Sequence, residues 1–296
     1  MTGVLQDIIL LYNKLQSKLK YEEKYIKYKD RIVFGKQSMP YFDRIPKTYF
    51  EDEACFVFVN QGEVSVRSQS DYINLNTNNA ILAKCLNYFF ETNDKQKQAG
   101  EGIEVIAVII YPALVEELFE FDLSKSNFTF DYNIKQIKVD RLLENFKESI
   151  DILLDNPELA DESIIRTKLK EFVLLMAKSQ DAPSQLDFLA ALFKPLDIEF
   201  KSTIQHNLYA NLSIDELARL CHLSTSSFKR KFTETFNTSP KKYISQKKVE
   251  KAAALLKKDS SRVSEIAYDV GFDSLATFNR NFTATYGLSP SEYRLS

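Results

Sequence analysis

The sequence predicts a two-domain α+β chain, strand-rich in its front half and all-helical in its back half. Three observations carry that reading. Between residues 30 and 112, short runs rich in β-branched and aromatic residues alternate with Asn- and Gly-containing turns, the pattern of a small β-barrel or sandwich. Residues 197–296 read as amphipathic helices joined by turns. Within them the chain repeats itself: aligned from Ser224 and Ser274, nine of twenty positions are identical, including Phe228/Phe278, Arg230/Arg280, Phe232/Phe282, Pro240/Pro290 and Tyr243/Tyr293. Chance gives about one match, so this is an internal repeat. A length of 296 residues accommodates two domains.

The front domain is expected over residues 1–182. At its start Val4, Ile8, Leu11, Leu15 and Leu19 recur with helical spacing, without the basic start or cleavage site of a signal peptide, so an amphipathic helix is expected there. "ACFVFVNQGEVSVRSQ" supplies two strands around an Asn-Gln-Gly-Glu turn, "NLNTNNAILAKCLNYFFE" and "GIEVIAVIIYP" add more, and Pro112 ends the run. The dense aromatics (Tyr41, Phe42, Tyr49, Phe50, Phe56, Phe58, Tyr72, Tyr88, Phe89, Phe90) are read as core, with a minority available to line a ligand pocket. Residues 137–178 read as a helical hairpin, apolar at 139, 142, 143, 146, 150 and 153, then at Ile165, Leu169, Phe172, Val173 and Met176. One hairpin face is assigned to the barrel; the other is a candidate homodimer surface. A linker is expected over 183–196, starting from the polar "KSQDAPSQ", with "LDFLAALFKP" as a connecting helix.

In the back domain, 197–296, Ser213 precedes Asp215 and Glu216, an N-cap followed by an acidic first turn. Ile214, Leu217, Ala218 and Cys221 form the inner face of that short helix. After "HLS", Ser224 caps a second helix with Phe228 and Phe232 inward at i, i+4. Asn237 sits where a left-handed residue ends the helix, and Ser239-Pro240 starts the next. The second copy repeats this grammar with Val263, Ile266, Ala267 and Val270, then Gly271, then Phe278 and Phe282, then Gly287. Two helices and a tight turn, with polar residues outward on the second, form the helix-turn-helix pattern, whose second helix enters the DNA major groove. Outward lie Ser226, Ser227, Lys229, Arg230 and Lys231 in the first copy, and Leu275, Ala276, Thr277, Asn279, Arg280 and Asn281 in the second. Arg can hold guanine, and Asn adenine, with two hydrogen bonds. "KKYISQKKVEKAAALLKK" joins the copies as a helix, a rod of roughly 25 Å able to hold two readers near one turn of DNA apart.

These residues resemble the C-terminal signature of AraC/XylS-type bacterial transcription regulators, carried by "EIAYDVGFDSLATFNRNFTATYGLSPSEYR" and covering about residues 197–296. The resemblance implies a seven-helix DNA-binding unit with two helix-turn-helix motifs. It places Ser226, Lys229, Arg230, Leu275, Ala276, Asn279 and Arg280 at base-facing positions. Ser224, Lys231, Lys241, Lys242, Ser274, Thr277 and Asn281 form the expected phosphate set. It also implies a cupin-like barrel in front, activation rather than repression, and with activation a contact to RNA polymerase. The chain departs from the family pattern at the apolar pair Leu275-Ala276 and at Lys248-Val249, where Arg-Leu is common and the guanidinium fork is lost.

Charge supports the same division, −6 over residues 1–196 and +4 over 197–296, the basic half being the one that meets a polyanion. The expected function is sequence-specific DNA binding through two successive major grooves, with the front domain sensing a small molecule, dimerising, or answering a protein partner. Catalysis is not expected. The two histidines, His206 and His222, both lie in the back half, which removes a His-based metal site from the barrel, and no phosphate loop, nucleophile elbow or Cys/His pair is present. No cofactor or metal is expected, and no apolar run is long enough to span a bilayer. Three scattered cysteines, Cys55, Cys85 and Cys221, fit a reducing cytoplasm.

Overall fold

The computed structural model describes residues 22–47, 52–92, 102–258 and 260–296. The expected N-terminal helix, and Tyr49 and Phe50, lie outside the described residues. The chain divides into two compact units, Met1–Asp197 and Ile198–Ser296.

The first unit is built on β4 (Ala54–Gln61) and β9 (Ile103–Ile110), paired antiparallel with Phe56 opposite Val108 and Phe58 opposite Ile106. Around them β1 (Glu22–Tyr28), β2 (Arg31–Met39), β7 (Asn79–Ala83) and β10 (Ile134–Lys138) complete a six-stranded sheet in the order β1-β2-β9-β4-β7-β10. A second sheet orders β3 (Arg44–Pro46), β8 (Phe89–Glu91), β5 (Val64–Arg67) and β6 (Tyr72–Leu75). The central strands read as continuous apolar runs because both of their faces are covered. Ala54, Phe56, Phe58, Ile106 and Val108 pack under helices, whereas Cys55, Val57, Val59, Ala107 and Ile109 share a core with Val64 and Val66 of the second sheet and with Tyr88 just ahead of β8.

The covering helices are α1 (Pro112–Phe119), α2 (Arg141–Asp155), α3 (Glu162–Ser179) and α4 (Gln185–Leu192). Asp140 and Asp161 cap α2 and α3, accepting hydrogen bonds from the first-turn amides. Phe146 and Phe172 of this hairpin meet Phe58 and Phe56 of the sheet. Lys36 on β2 ties α2 down through Asp151 (2.7 Å) and Asp155 (3.4 Å).

Several expectations change. Among the described residues the strands form two open sheets rather than a closed barrel: the four-stranded sheet ends at β3, three residues long, and β6, four residues long, and neither is paired in a ladder with the six-stranded sheet. Strands extend beyond 30–112 at both ends, to β1 and β10. β1 reads EEKYIKY and β10 IKQIK, charged edge strands whose burial signal is too weak to see in sequence. The hairpin therefore starts at Arg141 rather than 137, and Pro112 not only ends a strand but opens α1. The expected linker 183–196 is largely interior to the first unit: Phe188, Leu189, Ala190, Ala191 and Leu192 of α4 are buried, as five consecutive apolar residues require.

The segment that follows α4 is stitched to the same unit. Cys85 N–H donates to the Leu192 carbonyl (3.2 Å), and Asn133 exchanges two hydrogen bonds with Leu196 (2.6 and 3.0 Å). Lys84, fully buried, donates to the carbonyls of Phe130 (3.0 Å) and Lys194 (3.1 Å). Burial pushes the Lys84 ammonium down from 10.5 to about 8. Between these two values the folded protein has released the proton while the unfolded chain still holds it, so this group adds stability as pH rises through that window. We predict that the urea midpoint of the chain, relative to that of Lys84→Met, climbs from pH 8 to 10.5; a difference that stays flat across that range contradicts the assignment.

Candidate nucleic-acid interface

The second unit holds seven helices among the described residues: α5 (Phe200–His206), α6 (Ile214–Leu220), α7 (Thr225–Phe236), α8 (Pro240–Lys258), α9 (Val263–Asp269), α10 (Leu275–Tyr286) and α11 (Pro290–Leu295). The sequence repeat is a repeat of physical devices. Ser213 caps α6 in a reciprocal box with Glu216. At the end of α6 the Leu223 N–H bonds the Ala218 carbonyl (2.9 Å), and at the end of α9 the Phe272 N–H bonds the Ala267 carbonyl (3.0 Å). Each turn passes through one left-handed residue, His222 (φ 53) and Gly271 (φ 87). Ser224 and Ser274 then cap α7 and α10 by accepting from the amides of Ser227 and Thr277, each at 3.2 Å. Asn237 (φ 53) and Gly287 (φ 72) end those helices, each donating to a threonine carbonyl, Thr233 and Thr283.

Each second helix is held by rings. Phe228 and Phe232 are fully buried, Phe232 meeting Tyr243 edge-on at 5.6 Å; Phe278 and Phe282 are likewise buried, Phe282 meeting Tyr293 at 5.3 Å. Tyr243 and Tyr293 come from α8 and α11, so each motif is clamped by the helix that follows it.

With the phenylalanines inward, the opposite face is fixed. Ser226, Lys229 and Arg230 are exposed together on α7, and Ala276, Asn279 and Arg280 on α10, with Leu275 half-buried at its start. These are the seven positions expected to face bases, and the structure groups them on two equivalent helix faces. Among the described residues no ion pair engages Arg230 or Arg280, leaving their guanidiniums with full donor capacity at the surface.

The expected phosphate set is more mixed. Lys241 and Lys242 are exposed at the start of α8. Lys231 is exposed with its ammonium 5.1 Å from the centre of the Phe200 ring. Ser224, Ser274 and Thr277 spend their hydroxyls in the caps, with Ser274 Oγ–Thr277 Oγ1 at 2.9 Å, so these positions offer helix-start amides as much as side chains. Asn281, half-buried, lines a cleft of about 300 Å³ together with Leu212, Ile244, Phe272 and Thr277.

Sequence reasoning missed the partners of Lys248. It is buried in α8, and its Nζ donates to the Gly271 carbonyl (2.5 Å) and to Asn211 Oδ1 (3.3 Å). Asn211 Nδ2 in turn donates to Asp273 Oδ1 (2.6 Å). Burial holds the Lys248 ammonium below its ordinary value, with Asp273 opposing. The departure from Arg at this position was visible in sequence; its contact with a turn over twenty residues away was not.

Residues 217–296 match the family model described as a helix-turn-helix domain, and residues 54–188 match the one described as an ExsA N-terminal regulatory domain. The chain is 29% identical over 129 residues to the MmsAB operon regulatory protein of Pseudomonas aeruginosa, covering 43% of this chain and 42% of that protein. It is 37% identical over 92 residues to the XylDLEGF operon transcriptional activator of Pseudomonas putida, covering 30% of this chain and 29% of that one. The virulence regulon transcriptional activator VirF of Yersinia enterocolitica is 26% identical over 133 residues, covering 45% and 49%. The matched segment thus spans about half, or less, of each of these relatives. Among solved structures, an AraC-type regulator from Chromobacterium violaceum is 27% identical over 33% of this chain and 87% of its own, with a TM-score of 0.30.

The caps carry a stability prediction. Ser224→Ala and Ser274→Ala should each lower the unfolding free energy of the second unit by about 1 kcal/mol, because a first-turn amide loses its acceptor; unchanged urea midpoints for both would show that the caps contribute nothing.

Proposed function

We propose that this chain, which belongs to the AraC/XylS-type DNA-binding transcription regulators, inserts α7 and α10 into two successive major grooves and reads a short box with each. The observation that carries this is the pair of exposed arginines, Arg230 and Arg280, each two residues before the second buried phenylalanine of its helix. Bidentate contact of each guanidinium with guanine, assisted by Lys229 and Asn279, supplies base discrimination. Lys231, Lys241, Lys242 and the amides at the starts of α7 and α10 hold phosphates and set register. The α8 helix, 19 residues and about 28 Å long, spaces the readers. One chain then presents two readers at a separation near one turn of DNA, about 34 Å.

The front unit is the regulatory part in this reading, acting in the cytoplasm on an activator that contacts RNA polymerase and carries out no catalysis. Its control is exerted through a small-molecule effector, through homodimerisation, or through a protein partner. A protein contact is favoured by Leu142, Ile152, Leu159, Ile164 and Leu174, exposed large apolar side chains on and beside α2 and α3. Stoichiometric co-purification of a protein with the front unit supports that second reading, and a ligand-induced rise in its melting temperature supports the first.

Selection from a random DNA library by the full-length chain is expected to enrich two boxes about one helical turn apart; enrichment of no site refutes the function. Arg280→Ala should cost about 1–3 kcal/mol on the selected site and relax preference at one base pair. Unchanged affinity and preference would remove Arg280 from the readers. Lys231→Ala should weaken all sequences alike and lower the slope of log K against log salt by about one. A loss confined to one base pair argues against its phosphate role.

A further inference from the structure

We propose that Lys248 is a positioning residue that sets the angle between the two reading helices, and through it the base-pair separation of the two DNA boxes; the proposal rests on the two-reader function above. The two motifs do not share one core. Ile204, Leu217, Ala218, Phe228 and Phe232 pack as one cluster, and Val249, Ala252, Leu256, Ile266, Phe278 and Phe282 belong to another. Between them opens the cleft of about 300 Å³. Apolar packing therefore holds each motif internally, and the angle between them falls to α8 and to whatever bridges the cleft.

The bridge is polar and centred on Lys248. Its buried ammonium bonds the Gly271 carbonyl in the turn of the second motif and Asn211 Oδ1 just ahead of the first motif, while Asn211 also bonds Asp273 in the same second turn. One α8 turn further on, Lys251 lies 3.9 Å from the centre of the Tyr209 ring, tying the same pre-α6 segment to the rod. Three elements (the segment 209–211, the rod α8 and the turn 271–273) thus meet at one ammonium. The carbonyl it takes lies past the C-terminus of α9, where a cation is favoured. A buried ammonium is costly unless its donors are satisfied, so rotating the motifs apart strands a charge as well as breaking a bond.

Gly271 is what admits the ammonium. A Cβ there would stand 3.1 Å from Lys248 Nζ and 3.3 Å from the Tyr209 carbonyl, on a backbone at φ +87. The repeat does not duplicate the device: forty-nine residues before Lys248, the offset that separates His222 from Gly271, stands Glu199. The general needs of a helix-turn-helix motif therefore do not account for Lys248. The leverage is large. A tilt of about 7° across a rod of about 28 Å moves its far end by about 3.4 Å, one base-pair rise.

The test is library selection by the full-length chain, by Lys248→Met, which keeps the stem and removes the donors, and by Asn211→Gly. Asn211 is exposed and left-handed (φ 52), so glycine there preserves the backbone and the variant keeps its fold. The wild type is expected to enrich its two boxes at one separation. Both variants should recover the same box sequences spread over two or more neighbouring separations. On the wild-type spacing they should lose about tenfold in affinity, with binding of a single box unchanged. If either folded variant keeps the single separation and the affinity, Lys248 does not set the spacing, while the two-reader function stands. If the wild type itself enriches no paired boxes, the two-reader function fails and the positioning role fails with it.

Discussion

Everything the second unit presents depends on burying two phenylalanines four residues apart on α7 and again on α10. At helical spacing they define an inward stripe, and the rings of Tyr243 and Tyr293 close over it from the next helix. Once that stripe is fixed, helix geometry leaves no freedom for Arg230 and Arg280: two residues before the second phenylalanine, they must point outward. A close-packed ring cluster of this kind fixes the direction in which both guanidiniums leave the surface.

The caps serve the same end. Ser224 and Ser274 fix where α7 and α10 begin, and the left-handed residues before them fix the direction in which the chain enters each helix. His222 and Gly271 fill equivalent left-handed places with unlike side chains. The first carries an imidazole at the surface; the second leaves room for the ammonium of Lys248. A near-symmetric repeat therefore becomes asymmetric at the point where the two motifs are braced against each other.

The first unit uses a different strategy. Its six-stranded sheet is covered by helices on one face and by the four-stranded sheet on the other, so its central strands carry apolar side chains on both faces. Its last helix and the irregular segment after it remain bound to the unit through Lys84, Cys85 and Asn133. What looked in sequence like a spacer is thus part of the first unit up to Leu196, and the second unit follows directly from it in the chain.

By itself the sequence determined what is periodic and local. The two helix-turn-helix motifs, their caps at Ser213, Ser224 and Ser274, the left-handed ends at Asn237 and Gly287, the inward phenylalanines and the outward arginines all follow from spacing and residue type. Each such signal sits within one or two turns of chain. Tertiary structure decided what depends on partners distant in sequence: that the strands form two open sheets, that EEKYIKY and IKQIK pair as edge strands, and that LDFLAAL is interior. It also decided that a lysine in the middle of α8 joins Asn211 to Gly271. A charged strand or a buried lysine carries no local mark of its burial; its place is set by the carbonyls and carboxylates that folding brings to it.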